Sequence, residues 1–215
     1  MTTYLDDHAR AASDEMGEGY EASITVRHHG AVLRAASSSP GAARCDLVEA
    51  RMDEGPCLEA MDGLGRVAVR VAGEQSRWPH WSARTLDEGF VACVALPVRV
   101  AQETVLAINY YVAPVAAGDP PWDVAERRAQ AVAGQMRARL GVASTGLLAL
   151  QGPGTLEGDQ AVVDRAVGAT MQCNQVDAAH AYQVLARAAS ERGVTLEQMS
   201  HDLLAVLAEP SPTDG

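Results

Sequence analysis

The chain has 215 residues, 28 of them acidic against 17 arginines and no lysine, for a formal net charge of −11. That balance excludes broad attraction to nucleic acid or to an anionic membrane, which needs clustered positive charge, and leaves room only for a small specific patch. Four cysteines without a C-x-x-C spacing give no support to a zinc or thioredoxin-like motif, no apolar run is long enough to span a membrane, and the first residues lack a signal peptide's pattern, so a cytoplasmic protein with reduced thiols is expected.

Residues 3–20 read as an opening helix that breaks near Gly17 and Gly19. Residues 23–27 alternate and are β-branched, His28-His29-Gly30 is a turn, and residues 31–36 return as a second strand. In that turn both histidines are expected to face solvent. Residues 42–52 form a short helix or crossover, and Pro56 suits the first turn of the next one. Residues 66–71 alternate again. A helix after Trp78-Pro79 ends at Gly89, a natural left-handed stop. Residues 90–100 and 104–111 then form a hairpin. Helices on one side of this sheet and a pocket on the other are expected.

No catalytic constellation is present: no Gly-x-Ser-x-Gly elbow, phosphate loop or His-Glu-x-x-His occurs, so an enzyme is not expected. Cys57 reads either as a thiol facing a ligand or as a small buried apolar side chain. Trp78 and Trp81, on one helical face, are a packing anchor or a ligand platform. His80, between them, is the histidine to examine for a pocket role.

The motifs Glu54-Gly55-Pro56-Cys57-Leu58, Arg77-Trp78-Pro79, Leu96-Pro97 and Ala107-Ile108-Asn109-Tyr110 follow one another in an order that resembles the GAF domains of actinobacterial regulators, over about residues 5–140. GAF domains are sensory modules that bind cyclic nucleotides, haem, tetrapyrroles or other small molecules, or nothing. The resemblance implies a small-molecule pocket, its ligand unknown, lined by Cys57, Leu58, Trp78, Trp81, Cys93 and Asn109.

A long helix follows Asp119-Pro120-Pro121, with apolar residues at Ala125, Ala129, Val132, Met136, Leu140, Ala143, Leu147 and Leu150. The spacing is near a heptad and fits either a homodimer seam or packing on the chain's own sheet. Gly134, Gly141 and Gly146 weaken it by about 1 kcal/mol each. The first half is expected to pack on the sheet.

After the glycine-rich link at 151–154, residues 156–209 hold three arginines against eight acids, a net of −5. They read as helices near 158–172, near 178–191 with Asp177 as cap and Gly193 as stop, and after Thr195, which forms a Thr-x-x-Gln capping box with Gln198. Tyr182 is expected in the core. Ala166, Gly168, Met171, Ala181-Tyr182, Leu185, Ala189, Leu196 and Met199 carry a resemblance to the ANTAR domain, a three-helix RNA-binding module of transcription antitermination regulators. The paired modules of a dimer bind a two-hairpin RNA leader there. Val167, Ala186 and Thr195 stand where that family usually has basic residues, which weakens the expected binding.

The expectation is therefore an α+β fold. A GAF-like sensor domain of residues 1–140 has a central antiparallel sheet with flanking helices. A helix end and linker at 141–155, an ANTAR-like domain at 156–209 and a tail at 210–215 follow. The resemblances imply a homodimer that binds RNA hairpins and acts on RNA polymerase indirectly; the binding face would use the segment's three arginines, Arg165, Arg187 and Arg192, with Gln172 and Asn174 as polar helpers. The alternative is a sensory and dimerisation protein that has lost RNA binding and works through protein partners.

Overall fold

A computed structural model describes residues 4–116, 121–149 and 156–207. The fold is α+β, with a five-stranded antiparallel sheet between helices and a further group of helices after it. The strands are β1 (Tyr20–His28), β2 (Ala31–Ser37), β3 (Val67–Arg70), β4 (Ala92–Ala101) and β5 (Thr104–Val112), in spatial order β2-β1-β5-β4-β3. Central β5 pairs with β1 from Tyr20↔Val112 to His28↔Thr104 and with β4 from Ala92↔Val112 to Ala101↔Thr104. β2 and β3 are the edges.

Side chains alternate across the sheet, and both faces are apolar. Ile24, Val26, Leu96, Leu106, Ile108 and Tyr110 point to one face, under α1 (Tyr4–Met16) and α5 (Trp122–Ala149). Cys93, Ala95, Ala107 and Tyr111 point to the other, under α2 (Pro40–Met52), α3 (Pro56–Gly63) and α4 (Pro79–Asp87). The expected arrangement with helices on one side only is thus corrected. β5 is a nearly continuous apolar run, buried from Thr104 to Tyr111, and such a strand needs cover on both faces.

Local sequence explains the helix ends. Ser39 caps α2 by accepting from the Ala42 N–H, and Pro40, Pro56 and Pro79 each open a helix. In α5, Ala125, Ala129, Val132 and Met136 are buried against the chain's own sheet, with Leu140 packed at the edge of that core. The side chains of Ala143 and Leu147, together with Leu150, the 151–154 link and Pro210, lie outside the described residues.

The remaining helices are α6 (Leu156–Asn174), α7 (Ala178–Arg192) and α8 (Leu196–Leu207). Asp177 accepts the His180 N–H at 2.8 Å, and Gly193 closes α7 in the left-handed region at φ 70°. The Thr195 box forms in both directions, at 3.0 and 3.2 Å.

This helical unit completes its core with the sheet. Ala166, Leu185, Ala188, Ala189, Met199 and Leu203 pack with Ala31 and Leu33 of β2. Leu33 pairs with Val26 and Ala31 with His28, so both lie on the face that α1 and α5 cover. Farther along α8, Val206 joins the main core, and its carbonyl accepts from the Tyr4 hydroxyl at 3.1 Å. A unit of about 50 residues has little interior of its own, and this one buries its apolar face against edge strand β2.

Candidate functional site

The three arginines expected to form one basic face are apart. Arg165 is exposed on α6, beside a groove of about 610 Å³ that also holds Asp6, Arg34, Gln172 and Cys173. Arg187 is exposed on α7, with its Nε donating to Glu191 Oε1 at 2.7 Å. Arg192, at the end of α7, contacts His29 Nε2 and lies 3.3 Å from Asp202 Oδ2. Within one chain, two of these cations are already neutralised by carboxylates, and the three lie beside different hollows.

Tyr182, expected in the core, is 48% exposed on α7. The inward side of α7 is taken by Ala181, Leu185, Ala188 and Ala189, and Tyr182 falls outside that stripe. Its ring is available for stacking. Ala186 lies one turn farther along the helix from it.

The residues expected to line a ligand pocket gather on the second face of the sheet, in a packed interior. Trp78 and Trp81 meet edge to face with ring centroids 5.7 Å apart, and pack with Cys93 and Tyr111. The Arg77 guanidinium lies 4.3 Å over the Trp78 ring, which ties the Arg-Trp-Pro motif to the start of α4. Cys57 is buried in a neighbouring cluster with Ala95 and Ala107. Burial holds the Cys57 and Cys93 thiols well above the usual range, so both are inert apolar fillers in this state. Leu58 is half-buried. A cavity of about 10 Å³ lies beside Cys57 and Leu58, the room of a single water. His80 is exposed, with its Nδ1 3.4 Å from Glu54 Oε2, and takes no part in this interior.

Asn109 belongs to a buried polar group that the sequence did not reveal. Asp46 Oδ1 accepts from the Tyr111 hydroxyl at 2.7 Å and from Asn109 Nδ2 at 3.3 Å, and Asn109 Nδ2 also reaches Ser23 Oγ. Glu49, one turn along α2, accepts the Cys57 N–H at 2.7 Å. Burial raises the Asp46 carboxyl, with hydrogen bonds from Ser23, Tyr111 and Asn109 opposing, and raises Glu49 well above the carboxylate range, with the Asp46 charge adding to the effect. Gly55 lets Glu49 reach the start of α3. It sits at φ 144°, and a Cβ there would run into the Glu49 carboxyl.

The joint between sheet and tail helices is built from residues given other roles by the sequence. Asn174 pairs with the open edge of β2: its Nδ2 donates to the Val32 carbonyl at 2.8 Å, and its Oδ1 accepts the Arg34 N–H at 3.2 Å. His28 and His29, expected at the surface, are 3% and 7% exposed. The end of α7 and the flank of α8 cover the hairpin turn, bringing Arg192 and Asp202 onto it. Burial, with the charges of His29 and Arg192, lowers His28 to about 3, so its imidazole is neutral. His29 is lowered for the same two reasons, burial and Arg192. The missed signal was the alternation of β1, which runs on through Val26 to His28 on the inward face.

Comparison with curated proteins finds no match. Among solved structures, the chain is similar to SdiA in complex with octanoyl-rac-glycerol, at 10% identity, a TM-score of 0.47 and coverage of 97% of this chain and 90% of that one. A crystal structure of Escherichia coli SdiA is similar at 10% identity and a TM-score of 0.43, covering 93% of this chain and 88% of that one. Both likenesses are distant in sequence and in shape. Residues 158–204, which span most of α6, all of α7 and most of α8, match the ANTAR domain.

Proposed function

We propose that this chain is a signal-responsive, RNA-binding transcription antitermination regulator, in which a GAF-type sensor controls an ANTAR output. The observation that carries this reading is the ANTAR match across α6–α8. Exposed Tyr182 adds to it, since RNA loops are read largely by stacking unpaired bases on aromatic rings. The route for control is the shared core. Ala31 and Leu33 belong to the sheet and complete the output unit, so a shift of β2 changes the packing of α6–α8. In the family the RNA is bound by paired modules, and the homodimer this requires would form through the far part of α5.

Gel shift of the full chain with a two-hairpin RNA leader tests the reading. Salt-sensitive binding at or below about 10 μM is expected and, because nonspecific binding also reaches this range, it should be tighter than for an unstructured RNA of the same length. No shift at that concentration overturns it.

The separation of Arg165, Arg187 and Arg192, and the acids paired with two of them, favour a second reading. In it the ANTAR-like unit keeps its fold without its RNA face, and the protein is a sensor and scaffold for protein partners. RNA neutralisation by a net −5 segment is weak at best. The same gel shift separates the two readings.

A further inference from the structure

His28 is the last residue of β1, and His29 follows it in the hairpin turn at φ 50°. Their rings lie 4.0 Å apart between centroids. Asp202 approaches them from α8, and one ligand-type atom from each of His28, His29 and Asp202 lies within 4.8 Å of the others.

Two features mark this cluster as more than packing. First, both imidazoles are over nine-tenths buried, yet His28 Nε2 and His29 Nδ1 have no hydrogen-bond partner among the described residues. Buried polar atoms are nearly always partnered, and the unpartnered His28 Nε2, aimed into the cluster, calls for an occupant. Second, His28 is held from behind. Its Nδ1 lies 2.8 Å from Thr104 Oγ1, which can take the Nδ1 proton and leave the Nε2 lone pair for a ligand. Metal-binding histidines are characteristically fixed by such an outer hydrogen bond.

The cluster already receives a cation. Arg192 Nη1 touches His29 Nε2 and lies 3.3 Å from Asp202 Oδ2. We propose that His28, His29 and Asp202 bind a divalent transition-metal ion of the zinc class, fastening the β1–β2 hairpin to α8. Two imidazoles and a carboxylate are suitable donors for such an ion, and bonds of about 2.0–2.1 Å place tetrahedral donors about 3.3 Å apart. Side-chain rotation would have to close the difference, and Asp202, partly exposed, is the freest of the three to turn. A hollow of about 620 Å³ lined by His29, Gly30, Gln102, Glu103, Glu191 and Arg192 adjoins the cluster on the His29 side and gives an ion a way in. An ion held by His29 through Nε2 takes the place of Arg192 there. The site stands whether or not the tail helices bind RNA.

The test is calorimetric titration of the chelator-stripped full chain with zinc chloride. One zinc per chain is expected, with a zinc-dependent rise in melting temperature, because only the folded chain presents the site. Asp202→Asn and His29→Gln should each weaken binding about tenfold or more. Arg192→Gln should bind zinc at least as tightly as the wild type, since the competing cation is gone, an outcome that a purely structural cluster would not give. Circular dichroism establishes that each variant is folded. Should His29→Gln fail to fold, Asp202→Asn at the partly exposed position decides alone. No binding by the stripped wild type at about 0.1 mM zinc, equal affinity in Asp202→Asn, or loss of binding in Arg192→Gln would each overturn the proposal.

Discussion

The side-chain amide of Asn174 lies along the backbone of Val32 and serves as a one-residue extension of the sheet. Its Nδ2 donates to the Val32 carbonyl at 2.8 Å, and the neighbouring Arg34 N–H returns a bond to its Oδ1 at 3.2 Å. An open edge strand is a template for unwanted pairing, and here the last residue of α6 blocks it while anchoring the helical unit. Asn174→Ala removes both bonds and leaves two backbone groups of β2 to water. A loss of about 1–3 kcal/mol is expected. Amide hydrogen exchange should speed up at Arg34 and through α6, while the β4–β5 hairpin keeps its protection.

Leu33 is fully buried and belongs to the core of the helical unit, although it is a residue of the sheet. Leu33→Ala should destabilise the protein by about 2–5 kcal/mol. Because the cavity opens at the joint, α6–α8 should lose protection from exchange before β1 and β5 do. A uniform loss over the whole chain would contradict the shared core.

Glu49 sets a pH dependence with a definite sign. Its carboxyl is raised well above the ordinary range in the folded chain, first by burial and then by the charge of Asp46. A raised folded value means that folding takes up a proton. The stabilisation is therefore full below the unfolded carboxylate pKa of about 4.3 and is lost as pH rises through the folded value. Glu49→Gln keeps an acceptor for the Cys57 N–H and removes the ionisation. As pH rises above the unfolded carboxylate value, the wild type should lose more melting temperature than this variant. A remaining slope is expected because Asp46 is also raised.

Gly55→Ala places a Cβ against the Glu49 carboxyl at a backbone φ of 144°, which side-chain-bearing residues rarely adopt. Thermal unfolding should show a loss of more than about 1 kcal/mol. Gly63→Ala, where a Cβ meets nothing within 4 Å, is the control and should change little.

What the sequence revealed and what it hid divide by the range of the interactions. The Asp177 cap, the Gly193 stop and the Thr195–Gln198 box depend on neighbours three or four residues away, and all three could be read directly. The first half of the long helix was legible because Ala125, Ala129, Val132 and Met136 repeat at helical spacing. The stripe of α7 and the alternation of β1 could have placed Tyr182 and His28, whereas the places of His29 and Asn174 depend on where α6–α8 meet β2, more than 130 residues away along the chain from the hairpin for the Asn174 contact. No local pattern encodes that docking. The same holds for Asp46, which reads as one more surface acid of a helix until Tyr111 and Asn109 are brought over it.

Tyr182→Ala tests the RNA face without disturbing the fold. At 48% exposure the ring contributes little to packing, so the unfolding free energy should change by no more than about 0.5 kcal/mol. Loss of one base-stacking contact should weaken RNA binding by about 1–3 kcal/mol, measured by fluorescence anisotropy with a two-hairpin RNA.

The most direct measurement of the central claim, that α6–α8 are an RNA-binding output, is the salt dependence of RNA affinity for the full chain. A slope of log K against log salt between about −0.7 and −2 per chain is expected, about 0.7 for each phosphate neutralised, with Arg187 and Arg192 contributing only where phosphate displaces Glu191 and Asp202. Binding that is absent at low salt, or whose affinity does not change with salt, would contradict it.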